Sequence, residues 1–376
     1  MSDAAPSLDF RPDEPMRWTP EWHADVVSVP WGEEEPKGYK RAAGLFTADG
    51  AHLPDSHSWR YADEPVTVVP NGPAPQPVER LEGRWLYGGV FYAHFGHFLV
   101  ETTARLWAAE QVPDLAGLFF FPKPRLTHEF KPLKPYRPFF EQLGLGHLKI
   151  RLPQNPVEIA EITCPPPGFG IDTMIAGRPE YRDFMRRRLC ADVAPEGAEK
   201  LYITRSALTS RRGRVVGEER IEAFLAAEGY RIFHPQDHPI AEQIAQYRAA
   251  RQIVALDGSA LHLAAIVADP EAEVALINRG PSMNIEDYIL QFQTFAGLTP
   301  TRIEAIRGCW SPDGKRFVKR EAQAHFDFRA AGQALHRAGF ITKPSVWSDP
   351  PEAELAEQIA RLAERFGIGL VYRDLR

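Results

Sequence analysis

The chain has 376 residues and a formal net charge of −6. This length predicts two domains, or three, and 44% hydrophobic with 25% charged residues excludes a wholly disordered or fibrous protein. The acidic balance excludes a general nucleic-acid binder, which needs a net basic face. Cys164, Cys190 and Cys309 lack any CxxC spacing, which excludes a disulfide scaffold and argues against a structural zinc site.

The first residues, Met1 to Pro15, show no basic n-region and no apolar h-region. The longest apolar runs, Leu115 to Phe121 and Leu261 to Ala268, fall short of the ~20 residues a membrane helix needs. The expectation is a soluble, cytoplasmic protein, with peripheral membrane contact left open.

Up to residue 85 the pattern is weak, with strand-like pieces at Ala24 to Val29 and Pro65 to Val69. Trp85 to Tyr92 predicts a strand. Ala93 to Gln111 predicts a helix, with Phe95, Phe98, Leu99, Leu106 and Trp107 as its apolar stripe. Gly117 to Pro122 reads as a buried strand, Pro135 to Leu143 as a short helix and Glu158 to Cys164 as a strand. The proline- and glycine-rich stretch Pro165 to Gly177 marks the domain boundary. A basic helix, Pro179 to Cys190, follows it.

Next comes the clearest pattern in the chain. Strands are predicted at Lys200 to Arg205, Tyr230 to Phe233, Gln252 to Leu256 and Glu273 to Asn278. Helices separate them at Glu218 to Glu228, Pro239 to Ala250 and Ala260 to Ala268. This alternation predicts a parallel sheet whose ligands bind beyond the carboxyl ends of its strands. Near the end, Glu352 to Phe366 is amphipathic.

Arg205 ends the first of these strands, Asp257-Gly258-Ser259 follows the third, and Arg279 ends the fourth. A glycine-serine turn feeding a helix N-terminus offers backbone N–H groups and a positive dipole end, which suit a phosphate. Arg205, Arg211 and Arg212 stand within reach of it, and guanidinium forks pair bidentately with phosphate oxygens. The bland alternative is a solvated Arg-rich loop beside an ordinary helix entry. No GxGxxG follows a strand and no GxxxxGK[ST] occurs, which disfavours a dinucleotide and excludes a P-loop nucleotide site. No DxD pair occurs either, so a diphosphate leaving group would be neutralised by arginines rather than by a metal.

A second constellation lies at 93–111. His94, His97, Glu101 and Arg105 fall on one helical face. A histidine one turn from a carboxylate is apparatus for taking a proton from a hydroxyl. Zinc is the weaker reading, because HxxH with one Glu lacks the HExxH spacing. An incidental charged surface is the competing one. The arginines at 178, 182 and 186–188 read either as a solvated linker helix or as a dock for an anionic membrane or acceptor.

Several blocks then occur together in order. KLYITR is followed by Arg211-Arg212, Glu218, Glu242-Gln243 and IVALDGSALH (Ile253 to His262). They resemble the core of glycosyltransferase family 61. FYAHFGHFLVET (Phe91 to Thr102) resembles that family's HWxxE helix. The likeness spans about residues 85–280.

It implies an α/β, GT-B-like fold, two Rossmann-like domains facing across a cleft. On that plan residues 1–177 form the acceptor-side domain and 178–197 a linker helix. Residues 198–329 form the donor domain, and helices in 330–376 pack back on the first. The implied chemistry is inversion without an obligatory metal or other cofactor. Arg205, Arg211 and Arg212 would bind the diphosphate, Glu218 and the turn Asp257-Gly258-Ser259-Ala260 would complete the donor site, and His94, His97 and Glu101 would line the acceptor side.

Two positions depart from the family pattern. Gly217 precedes Glu218 where an asparagine is usual, and Asp257 stands where a histidine is usual. Asp257 would bind a ribose or sugar hydroxyl or act as base, or it marks altered donor choice or lost activity. The expected partners are a nucleotide-sugar, UDP-linked, and a glycan or glycolipid acceptor of bacterial surface polysaccharide. The general base is Glu101 or, second, His97. The alternative is a non-catalytic sugar-nucleotide or glycan binder, or a scaffold of polysaccharide assembly.

Overall fold

The computed structural model describes residues 7–30, 40–123, 131–208, 213–281, 284–314, 316–317 and 319–375. The chain is mixed α/β, as expected, and forms two compact units, Met1–Asp192 and Val193–Arg376.

The first unit is built on a six-stranded sheet. In spatial order the strands are Gly44–Phe46, His23–Val29, Val157–Thr163, Arg80–Phe91, Leu115–Pro122 and Lys149–Arg151. The last four are mutually parallel, His23–Val29 runs antiparallel to them, and Gly44–Phe46 pairs antiparallel with His23–Val29. Leu118, Phe119, Phe120 and Phe121 are all fully buried, so this strand has protein on both faces and reads as a continuous apolar run. Gly88 makes room for it, because a Cβ there would run into the Phe120 ring.

The single helix expected at 93–111 is corrected. The chain makes one α-turn (Phe95–His97), a π-turn (Phe98–Thr102) and a 3-10 segment (Leu106–Gln111). The basic helix Pro179–Ala191 is not a solvated linker. Tyr181, Phe184, Met185 and Leu189 are buried in the first unit. Arg182 donates to the carbonyls of Gly177 (2.7 Å), Ala176 and Pro12 (both 3.2 Å), while Arg187 and Arg188 pair with Glu110. Among the described residues, no helix is long and apolar enough to cross a membrane.

The second unit holds an all-parallel sheet, ordered Arg231–Phe233, Lys200–Ile203, Gln252–Leu256, Glu273–Ile277, Thr301–Ile303. Its last strand lies beyond the predicted series. The helix Ala260–Val267 has Leu261, Leu263 and Ile266 fully buried. On the core side, Tyr202, Val254, Leu256 and Ile277 pack with Ile221 and Leu225 of the helix Glu218–Ala226. Phe328, Ala331 and Leu335 of the helix Phe328–Arg337 join the same core, as does Trp347. The closing helices fall within the second unit. They complete it, and the helix Glu352–Phe366 is tied to it through Arg220, whose guanidinium meets Glu354 at 3.4 Å. A three-stranded antiparallel sheet of Gln323–Phe326, Ile306–Pro312 and Leu370–Asp374 ends the unit.

Candidate functional site

The strand order of the second unit reverses beside Lys200–Ile203. From Lys200–Ile203 the chain steps to one side, then returns to lay Gln252–Leu256 on the other. Ligands of open parallel sheets bind outside the carboxyl ends at such a reversal. Arg205 stands just past one of these strands and Asp257-Gly258-Ser259 just past the other. Their two loops meet, since a Cβ on Gly258 would stand 3.0 Å from Arg205 Cδ. Ser259 and Ala260 open the helix Ala260–Val267, whose first turn carries no side-chain cap.

Asp257 is fully buried beneath this point. It forms an ion pair with Arg279, which also donates to the carbonyls of Asp257 (2.9 Å) and Gly213 (2.7 Å). Burial pushes the Asp257 carboxyl up, and Arg279 and Arg205 oppose that shift. Burial, and then the like charge of Arg279, pulls Arg205 down. Tyr288, from the helix Asn284–Gln291, is buried beside the three, and burial with Asp257 nearby raises its hydroxyl. Two guanidiniums thus converge on one carboxylate, leaving the cluster one positive charge in excess.

Glu218 holds the first loop. Its Oε1 accepts the Arg205 backbone N–H (2.7 Å), and Thr204 Oγ1 lies 2.8 Å away. Thr204 Oγ1 also lies 2.5 Å from Glu222 Oε1. Burial pushes the Glu218 carboxyl up, while the Arg205 backbone N–H, the Thr204 hydroxyl and the Arg205 charge oppose that shift. Beside this loop opens a groove of about 410 Å³. Ser206, Arg214, Glu218, Gln358, Arg361 and Arg365 line it.

In the first unit, Glu101 is buried in the π-turn and is paired twice. His97 Nδ1 meets one carboxylate oxygen, and Arg60 Nε meets the other at 3.3 Å. The His97 side chain is 32% exposed against 3% for Glu101, so the imidazole is the accessible member. It stacks on Tyr92, with centroids 5.4 Å apart. Lys123 Nζ sits 4.6 Å from the centroid of that ring. Burial, with Glu101 beside it, raises the Tyr92 hydroxyl, and burial, with Arg60 nearby, lowers Lys123. His94 is exposed and meets the His97 ring edge-on at 5.3 Å. Thr102 Oγ1 accepts Tyr92 N–H (2.9 Å) and donates to Val90 (3.1 Å), which pins this turn to the sheet.

Arg105 departs from the face it shares with these residues in sequence. It is buried and donates to three backbone carbonyls, of His57 (2.5 Å), Pro165 (2.7 Å) and Asp55 (2.9 Å). That is a structural post.

The second unit thus brings together Arg205, Glu218, Asp257, Gly258, Ser259 and Ala260. The first pairs His97 with Glu101 and sets His94 beside them. Arg211 and Arg212 lie outside the described residues. Sequence reasoning missed Tyr288 beside the strand-end residues, Arg214, Arg361 and Arg365 at the groove, and Arg60 behind Glu101. Arg279 is legible as a strand-end residue, whereas Arg60 lies in the weakly patterned first 85 residues and carries no signal. Among the described residues, no three His, Cys, Asp or Glu side chains gather as a metal site.

The glycosyltransferase 61 family model matches residues 95–275. That span includes His97, Glu101, Arg205, Glu218 and the Asp257 turn. No curated protein matches the chain.

Proposed function

We propose, for a chain whose residues 95–275 match the glycosyltransferase 61 family model, that it moves a sugar from a UDP-linked donor to a bacterial surface polysaccharide or glycolipid, with inversion and without a metal. On this reading the two units serve a GT-B plan. The second holds the donor and the first carries the acceptor chemistry. The observation that carries it is the placement of Arg205 and the Asp257-Gly258-Ser259 turn on the two strands flanking the sheet's reversal.

The acceptor hydroxyl oxygen attacks the anomeric carbon as the bond to the diphosphate oxygen breaks. The hydroxyl proton goes to a base. Burial orders the two candidates. Glu101 is enclosed and paired with Arg60, whereas His97 is accessible and has Nδ1 fixed by Glu101. His97 Nε2 therefore takes the proton, and Glu101 orients the ring and stabilises its imidazolium. The departing diphosphate is stabilised by Arg205 and by the N-terminus of the helix Ala260–Val267.

Turnover of UDP-sugars by Arg205→Ala tests this. A fall of about a hundredfold supports the reading. A variant as fast as wild type sinks it. Asp257 favours a second reading, a non-catalytic sugar-nucleotide binder, because a buried carboxylate beside the arginines opposes a diphosphate. Tight UDP binding without turnover against any acceptor would select it.

A further inference from the structure

The cluster at the strand ends carries less positive charge than a diphosphate carries negative. Arg279 is ion-paired with Asp257, and Arg205 also feels that carboxylate. Uncharged hydrogen-bond donors are what such a site still needs. We propose that Tyr288 supplies one, its hydroxyl donating to a phosphate oxygen of the donor's diphosphate beside Arg205. The inference rests on the donor reading of the second unit. It extends that site to the helix Asn284–Gln291, which lies beyond the residues 95–275 that the family model matches.

Position is the first support. The helix Asn284–Gln291 follows the strand Glu273–Ile277 past its carboxyl end, and it packs on the helix Ala260–Val267. The Tyr288 ring meets that of His262, in the first turn of Ala260–Val267, with centroids 4.9 Å apart. That same turn has no side-chain cap, so its N–H groups suit a phosphate. The charges of Asp257, Arg279 and Arg205 all act on the phenol. Tyr288 thus adjoins both the helix N-terminus and the arginine that the donor reading gives to the diphosphate.

The hydroxyl is also unused within the protein. Tyr288 is only 6% exposed, yet its Oη makes no hydrogen bond with any described residue. A buried tyrosine hydroxyl ordinarily finds a partner, and leaving it without one is costly. Its neighbours share the deficit, since Arg205 Nε is buried with no hydrogen-bond partner as well. Two donors left open at one point match the oxygens of an anion.

The ring is held for this task. His262 Nδ1 lies 2.7 Å from Gln291 Oε1, so the imidazole against which the phenol rests is fixed from the same helix as Tyr288. Burial, with Asp257 nearby, raises the Tyr288 hydroxyl, so it keeps its proton and stays a donor. It does so without adding to the like charge of Arg279 that already weighs on Arg205.

Tyr288→Phe removes the hydroxyl and nothing else. Calorimetry on the full chain, with UDP and with pyrophosphate as probes, compares this variant with wild type, and thermal melting follows the fold. The expected result is that wild type binds both probes, that the variant binds both about tenfold to a hundredfold more weakly, and that its melting temperature holds. Equal UDP binding by the two proteins overturns the Tyr288 contact and leaves the donor reading standing. Weaker UDP binding with unchanged pyrophosphate binding moves the contact off the diphosphate and overturns the proposal. So does a variant that melts well below wild type, since the hydroxyl would then serve the fold. Pyrophosphate binding that needs the hydroxyl, in a protein that binds no nucleoside diphosphate, keeps the anion contact and overturns the donor reading. A wild type that binds neither probe overturns both.

Discussion

Arg205 lies against Gly258 so closely that a Cβ at residue 258 would stand 3.0 Å from its Cδ and nearer still to its guanidinium. The contact joins the loops after two neighbouring strands, Lys200–Ile203 and Gln252–Leu256. Gly258→Ala is therefore expected to push Arg205 aside. The colliding atoms belong to the far part of a flexible side chain, so the cost to stability stays near 1 kcal/mol. UDP affinity should fall about tenfold. Gly280→Ala is the matched control, since a Cβ there meets nothing within 4 Å. Calorimetry and melting of the two variants decide the matter, and an unchanged affinity in Gly258→Ala would remove Arg205 from the donor site.

The pair His97–Glu101 separates two roles that sequence spacing leaves merged. If His97 is the base and Glu101 its orienting partner, His97→Ala should lower kcat by about 10²–10⁴. Glu101→Gln keeps a side-chain oxygen or nitrogen facing Nδ1 but removes the charge that supports the imidazolium. It should lower kcat less and leave the KM for donor unchanged. Steady-state kinetics at saturating donor would show it. A Glu101→Gln variant slower than His97→Ala would return the base role to Glu101.

Arg105 gives the opposite expectation. Its three hydrogen bonds to the carbonyls of residues 55, 57 and 165 are buried, and its guanidinium lies over the Tyr87 ring at 4.9 Å. Arg105→Ala leaves those acceptors unpaired and should cost the first unit about 3–5 kcal/mol. Chemical denaturation reads this directly. A variant with wild-type stability and impaired kcat would place Arg105 in the chemistry instead.

The reason Arg105 is misread from sequence is local geometry. In a regular α-helix, spacings of three and four put His94, His97, Glu101 and Arg105 on one face. Here Thr103 N–H bonds back to Phe98, five residues away, at 3.2 Å. That wider turn shifts everything after it around the axis, and Arg105 turns inward. The apolar stripe does not reveal the shift, because residues 98–106 are buried on every side.

The parallel sheet of the second unit was legible for the converse reason. Lys200–Ile203 and Gln252–Leu256 are short, mostly buried apolar runs, each followed by its own helix signal. The antiparallel sheet at the end of the chain was not, since Ile306–Pro312 pairs with Leu370–Asp374, about sixty residues later. The strand-end arginines were legible by position. Arg361 and Arg365 were not, because only the packing of the last helix brings them to the groove.

The final prediction concerns acid lability of the first unit. His52 sits half-buried, with its ring 4.9 Å from His57 and 5.4 Å from Phe46. Burial, and then the neighbouring His57, pulls its pKa from 6.5 down to about 4. The folded state therefore prefers neutral His52, while the unfolded chain takes up a proton below its ordinary value. His52 stabilises the fold fully above pH 6.5, and that contribution is lost as pH falls from 6.5 through 4. The ring is partly exposed, so solvent screening reduces the effect to about 1–2 kcal/mol. His57, also lowered by burial, adds in the same direction. His52→Gln removes the titrating group, so its stability should vary less between pH 6.5 and 4 than that of wild type. Denaturation curves at both pH values measure the difference. Parallel losses in the two proteins would mean that the acid sensitivity arises elsewhere.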